Sequence, residues 1–310
     1  MLPYIHAILP ADCPRFVDVF GGSGTVFLSR NPKPGDFEVY NDFDGDLVNL
    51  FRCMKDKTLE FIRELGFMTL NSRDDFNLLK KFIAQEKLDD EYLEEEMKLT
   101  QVILPPPQAK ELKHILSTRA KSYDVRRAAS YLKLIRYSYS SGLKSFASQP
   151  YDIRKLFSLI NQLGTRLANV VIENQDFETL IKHYDRDNTF FYCDPPYYET
   201  EGMYAACFTK EDHIRLRDTL KNCKGRFLLS YNDCPFIREL YKDFSIIECK
   251  RVHSMAQRYN AGAEFPELLI GNFDLLETQK NKPYQLTLFD YDGEPEDYEK
   301  ILKECIVHAK

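Results

Sequence analysis

The feature that most constrains this chain is a strand, a glycine-rich turn, a helix and a second strand written in succession between Arg15 and Asp42. Phe16 to Val19 is β-rich, Gly21-Gly22-Ser23-Gly24 breaks the run, and Phe37 to Tyr40 is β-rich again. Parallel strands need a crossover, usually a helix, so this text opens a parallel sheet. The same grammar returns beyond residue 168, in apolar runs at Asn169 to Ile172, Thr189 to Cys193, Arg226 to Tyr231, Ser245 to Val252 and Glu267 to Phe273. Helical text separates the first four. One helix start is explicit, because Thr209 stands in capping position before Asp212, with Ile214, Leu216 and Leu220 following at helical spacing. The expected fold class is α/β.

Between these blocks, residues 58–167 read as almost entirely helical, with helix-period patterns at Phe76 to Ile83, Ala109 to Leu116, Val125 to Tyr139 and Ile153 to Leu167. The expected organisation is therefore one α/β domain from residues 1–57 and 168–276, a helical insertion at 58–167, and a polar, acidic tail at 277–310. Charge follows the same division. The whole chain carries a net charge of -6, which taken alone speaks against a nucleic-acid partner. Acid is concentrated in Glu86 to Glu96 and in the tail, whereas Lys110 to Arg166 holds twelve Lys/Arg against three Asp/Glu. Tyr131, Tyr137 and Tyr139 are interleaved with those cations, so a nucleic-acid-facing surface is expected here, involving Lys121, Arg126, Arg127, Lys133, Arg136 and Lys144. The alternative is an ordinary solvated face.

No apolar run approaches the roughly 20 residues that span a bilayer, and no charged-then-apolar leader opens the chain. The eight cysteines are scattered with no Cys-x-x-Cys pair, which favours reduced thiols in the cytoplasm and argues against structural zinc. No metal is expected.

Two constellations carry chemistry. Phe20, Gly22 and Gly24 stand where a strand runs into a helix, a place where backbone approaches a ligand closely. A dinucleotide fingerprint would want a glycine where Phe27 stands, which weakens an NAD reading. Asp42 ends the next strand, placed to accept from ribose hydroxyls, or else to cap a following helix together with Asp44 and Asp46. Asp176 either accepts from an adenine amino group or caps the helix behind it. The sharper constellation is Asp194-Pro195-Pro196-Tyr197, directly after the strand Thr189 to Cys193. Two prolines end ladder pairing and stiffen the loop, so the Asp194 carboxylate and nearby carbonyls form fixed acceptors suited to an exocyclic amine. Tyr197 offers a ring on which a planar base stacks.

Phe20-x-Gly22-x-Gly24 followed by Asp194-Pro195-Pro196-Tyr197 resembles the amino-methyltransferase pattern. The chain is similar to the Dam-like class of S-adenosylmethionine-dependent DNA adenine-N6 methyltransferases of DPPY type. Asn41 to Leu47, Leu229 to Asp233 with Arg238 to Tyr241, and Glu267 to Asn272 support the likeness, which covers most of residues 14–273. It implies a Rossmann-like methyltransferase sheet with an inserted helical target-recognition domain. It further implies that Phe20, Gly22, Gly24, Asp42, Asp176 and Asp194 bind S-adenosylmethionine and that Asp194, Pro195, Pro196 and Tyr197 hold a flipped adenine for in-line methyl transfer. An RNA methyltransferase and a catalytically weak DNA-binding module are the alternatives. Such enzymes usually begin with a Gly- and Lys-bearing segment closing over the cofactor, whereas this chain opens on Met1-Leu2-Pro3-Tyr4, and weak cofactor affinity is expected. Arg136 to Lys144 is only loosely like the Asn-rich stretch of GATC-reading members, which leaves the target sequence open. In the tail, Gln285-Leu286-Thr287-Leu288-Phe289 resembles the peptide by which bacterial proteins dock into the sliding clamp, or else packs back as an extra strand. A monomeric enzyme acting on double-stranded DNA, solitary or within a restriction or mobile-element system, is expected.

Overall fold

The computed structural model describes residues 2–10, 12–66, 72–84, 92–103, 110, 123–138, 145–147, 151–198, 208–252 and 264–275. The chain divides into two compact units, one built from residues up to Asp44 and from Glu173 onward, the other from Gly45–Ile172.

The first unit is organised by a seven-stranded sheet. The strands of the sheet are β1 (Arg15–Asp18), β2 (Phe37–Asn41), β3 (Val171–Glu173, whose first two residues are the last of the second unit), β4 (Thr189–Cys193), β5 (Arg226–Asn232), β6 (Ser245–Val252) and β7 (Glu264–Gly271). They lie in the order β3-β2-β1-β4-β5-β7-β6. β1 pairs in parallel with β2 and β4, with Val17 opposite Val39 on one side and Phe191 on the other, and β4 pairs in parallel with β5. Val17, Val39, Phe190, Phe191, Phe227, Leu228 and Leu229 are buried. Burial on both faces makes these strands read as continuous apolar runs rather than alternating ones. The order resembles the doubly wound 3-2-1-4-5-6 arrangement, with antiparallel β7 inserted between β5 and β6. The fold is thus α/β and Rossmann-like, and its strand order reverses between β1 and β4, where ligands of open α/β sheets bind.

Helices α1 (Leu2–Ile8) and α2 (Thr25–Ser29) belong to this unit. The second unit is helical: α3 (Gly45–Asp56), α4 (Thr58–Gly66), α5 (Arg73–Ile83), α6 (Leu93–Ile103), α7 (Val125–Tyr137) and α8 (Phe157–Leu167), the last entered through a single 3-10 turn. Side-chain caps start two of them: the Ser72 hydroxyl accepts from the N–H of Asp75, and the Asp124 carboxylate from that of Arg127. α3, read in the sequence as part of the α/β block ending at residue 57, packs on α7 and α8. Its Val48, Leu50, Phe51, Cys53 and Met54 are buried, and Asn49 bonds the backbone of Asp124 in both directions. α7 stops at Tyr137 rather than Tyr139 because Ser138 turns extended and bridges to Phe146.

The sheet unit resumes with α9 (Phe177–Tyr184), α10 (Lys210–Lys221) and α11 (Pro235–Leu240). Thr209 and Asp212 form the reciprocal cap at the start of α10 that the sequence announces. Cys13, Cys53, Cys193 and Cys249 are buried free thiols. No helix among the described residues is long and apolar enough to cross a membrane.

Candidate active site

Three loops meet at the carboxyl ends of β1, β2 and β4. After β1 the chain turns tightly through Gly21–Gly24, closed by the Gly24 N–H donating to the Gly21 carbonyl at 2.7 Å. Gly22 and Gly24 have φ of 50° and 72°, a left-handed conformation that side chains disfavour. Gly21 is required for a different reason, since a Cβ there would lie 2.2 Å from Cε2 of Tyr40. The Tyr40 hydroxyl donates to the Gly22 carbonyl at 2.6 Å, pinning the turn against β2.

Asp42 follows β2 and its carboxylate accepts from the backbone N–H of Gly22 and of Asp44, both at 2.8 Å. It therefore fixes the glycine turn, and burial holds its carboxyl above the usual range despite those bonds. Asp46 serves elsewhere, in the helical unit, as the ion-pair partner of Arg127. The loop after β3 is laced to the same place. Asn41 donates to the carbonyls of Val19 and Gln175, and Asn174 donates to those of Asp42 and Phe43. Asp176 caps α9 by accepting from the Glu178 N–H and also takes a bidentate pair from Arg215 at 2.8 and 2.9 Å. The guanidinium lies 4.1 Å over the Phe177 ring. Burial pushes the Asp176 carboxyl up, but Arg215 and the cap overcome it and hold it below the ordinary range. Phe20, Phe177 and Phe208 form an aromatic triangle with centroids 5.7 to 5.9 Å apart.

Asp194 leaves β4 exposed, and its Oδ1 accepts from the Ser230 hydroxyl of β5 at 2.7 Å. Pro195 is buried, Pro196 and Tyr197 half-buried, and the Tyr197 ring sits 6.2 Å from that of Tyr231. Beneath them, Asp18 at the end of β1 is 1 % exposed, and its Oδ1 has no hydrogen-bond partner. Burial, then the charges of Asp194 and Asp42, push its carboxyl well above the usual range. Such an atom costs free energy unless a cation or donor meets it. Asp18 opens the glycine-turn motif and Ser230 lies in the Leu229 to Asp233 stretch, yet the sequence assigns no role to either or to Arg215; the visible signal is a carboxylate inside the otherwise apolar Phe16–Phe20 run.

The expected DNA-facing cations divide. Arg126 and Arg136 are exposed, Arg136 lying 3.7 Å over the Tyr151 ring. Arg127 is buried, bonded to Asp46 and to the Ile83 carbonyl, and Lys133 is buried with Nζ 3.4 Å from the Glu64 carbonyl. This corrects their placement on the DNA-facing surface: both are held inside the helical unit, where Tyr131 and Tyr137 are buried too. Lys121, Lys144, Gln285, Leu286, Leu288 and Phe289 lie outside the described residues.

Comparison with known proteins agrees with this geometry. The family model for D12 class N6 adenine-specific DNA methyltransferases matches residues 1–255. The chain is 26% identical over 294 residues to the Type II methyltransferase M1.LlaDCHI of Lactococcus lactis subsp. cremoris, covering 88% of this chain and 91% of the relative. It is 23% identical over 242 residues to the Type II methyltransferase M.CviBI of Paramecium bursaria Chlorella virus NC1A, covering 76% and 80%. With the glycine turn, the Asp194-Pro195-Pro196-Tyr197 loop and the sheet order all in place, the chain belongs to the D12 class of N6 adenine-specific DNA methyltransferases.

Proposed function

We propose that the chain methylates N6 of an adenine turned out of double-stranded DNA, with S-adenosylmethionine as donor. The observation that carries the reading is Asp194, an exposed carboxylate oriented by Ser230 and followed by two prolines at the end of β4. The adenine N6 lone pair is delocalised into the ring. Asp194 and a backbone carbonyl beside Pro195 would accept the two N6 hydrogens and localise that pair for attack. Stacking on Tyr197 would return about 1–3 kcal/mol of the cost of unstacking the base.

The residues fit a cationic nucleoside. Asp18 keeps a buried oxygen without a partner, with the charges of Asp42 and Asp194 bearing on it. Phe20, Gly22 and Gly24 would line the pocket, Asp42 would accept from the ribose, Asp176 from the adenine amine, and Asp194 would border the reacting end. The cofactor, when bound, supplies a methyl group on a positively charged sulfur. The helical unit would read the target, with Arg126 and Arg136 on phosphates. Both relatives are Type II methyltransferases, which supports a role as the modification partner of a restriction enzyme.

The test is Asp194→Ala, with N6-methyladenine quantified in duplex DNA and in RNA. Turnover on DNA should fall about 10²–10³-fold, as for loss of a transition-state hydrogen-bonding group, with duplex affinity changed less than about threefold. Retained N6 methylation in the variant, or wild-type methylation of RNA alone, would sink the proposal.

A further inference from the structure

The edge of the sheet opposite the candidate active site carries three cations that make no close ion pair among the described residues. Arg15 opens β1, Arg186 lies between α9 and β4, and Lys224 precedes β5. Together with Asn188 and Asp187 they line an open cavity of about 500 Å³. None of the three cations makes an ion pair among the described residues. The Arg15 guanidinium lies 4.4 Å over the Phe37 ring, and its buried Nε has no hydrogen-bond partner. Arg186 donates to the Asp185 carbonyl at 2.6 Å. The Asp185 carboxylate is committed to the backbone N–H groups of Lys224 and Gly225, so Asp187 is the one acid lining the cavity. Three cations and one acid around a concavity, in a chain of net charge -6, favour an anion there.

The last described residues arrive at this same edge. β7 runs antiparallel to β5, so its end lies beside the start of β5, with Gly271 opposite Leu228. Asn272 accepts from the Phe227 N–H at 3.0 Å and donates to the Gly225 carbonyl at 2.9 Å. The next residue, Phe273, sits 5.9 Å from the Arg226 guanidinium. Residues 276–310, outside the described set, therefore start from here. Between Asp290 and Glu299 they hold Asp290, Asp292, Glu294, Glu296, Asp297 and Glu299, with no Lys or Arg among them. The chain from Leu275 to Asp290 spans up to roughly 50 Å when extended, enough to reach a cavity on the edge where it begins. An anion tethered at that length has an effective concentration on the order of millimolar.

We propose that the Arg15–Arg186–Lys224 cavity is a docking site for the acidic run Asp290–Glu299 of the same chain. Charge complementarity and the point of departure both favour this occupant over a nucleic-acid phosphate, because the cavity lies at the amino ends of the strands, away from the loops where DNA chemistry is expected. Docking would anchor one flank of Gln285–Phe289, the segment that resembles a partner-binding peptide, and salt would release it.

Carbodiimide cross-linking of the full-length chain tests this, because the reagent joins an amine to a carboxylate only where the two touch. At 0.1 M salt, peptide mass spectrometry should find Lys224 joined within one chain to an acid of Asp290–Glu299. At 1 M salt, where the Debye length shrinks from about 10 Å to about 3 Å, the yield should fall roughly tenfold. Arg186→Gln should reduce it severalfold with an unchanged circular dichroism spectrum. Tail acids joined to lysines elsewhere but not to Lys224, or links formed only between two chains, would overturn the proposal. So would protection of Lys224 from acetylation by duplex DNA without any tail cross-link, which would assign the cavity to nucleic acid.

Discussion

Arg127 distinguishes a structural cation from a DNA-binding one. Its side chain is 8% exposed and pairs with Asp46, 18% exposed, through Nε and through Nη2 at 2.9 Å, while Nη2 also donates to the Ile83 carbonyl at 2.8 Å. One guanidinium thus ties α3, α5 and α7 together. Replacing it with Met keeps the bulk but takes the guanidinium away from a largely buried carboxylate and from a carbonyl. Removing one partner of a buried pair costs about 3–5 kcal/mol, and the residual exposure of Asp46 places this case near 3. With a urea slope of about 1–3 kcal/mol/M, the unfolding midpoint followed by helical circular dichroism should drop by about 1 M or more. Arg126→Gln alters a half-exposed contact 3.7 Å from Glu64 and should cost under about 1 kcal/mol. Asp46→Leu in the Arg127→Met background should restore part of the loss, because the carboxylate that had lost its guanidinium is then gone too. The reasoning fails if Arg127→Met unfolds at the wild-type midpoint yet binds duplex DNA tenfold more weakly.

Three further outcomes are expected. Gly21→Ala forces a Cβ against the Tyr40 ring, which is itself fully buried, so the glycine turn must shift; stability should fall about 1–3 kcal/mol and cofactor binding by calorimetry should weaken, whereas wild-type binding in a folded variant would contradict the packing argument. Asp18→Asn probes the raised carboxyl: a group whose pKa is higher folded than unfolded favours folding below its unfolded value and progressively less as pH rises through the folded one. The variant should therefore gain stability over wild type as pH is raised above about 4, and a gain independent of pH would show that Asp18 is not held protonated. Arg136→Gln should weaken duplex binding about equally across sequences and reduce the slope of log affinity against log salt by about 1; an unchanged slope would remove Arg136 from the DNA face.

How far the molecule is legible in its sequence depends on whether a signal is local. β1, β2, β4 and β5 announce themselves because strands buried on both faces are apolar throughout, and the Thr209–Asp212 cap does so because both partners lie within one turn. The sorting of cations on α7 was half legible. Arg127 falls at helical spacing with Tyr131 and Leu134, both buried, so its face was in the text, but its partner Asp46 lies on another helix and only the fold shows the pair. The same holds for α3, whose apolar face gives no hint that it joins the helical unit rather than the sheet. The candidate site is the extreme case. Asp18, Asp42 and Asp194 are far apart in the chain, yet Asp18 ends β1 and the other two directly follow β2 and β4, the strands on either side of β1. Each carboxylate alone has an ordinary reading as a cap or a turn. Only the strand order, which no local pattern encodes, brings the three together and turns Asp18 from an oddity in an apolar run into a buried carboxyl, one oxygen of which has no hydrogen-bond partner, at the floor of the candidate site.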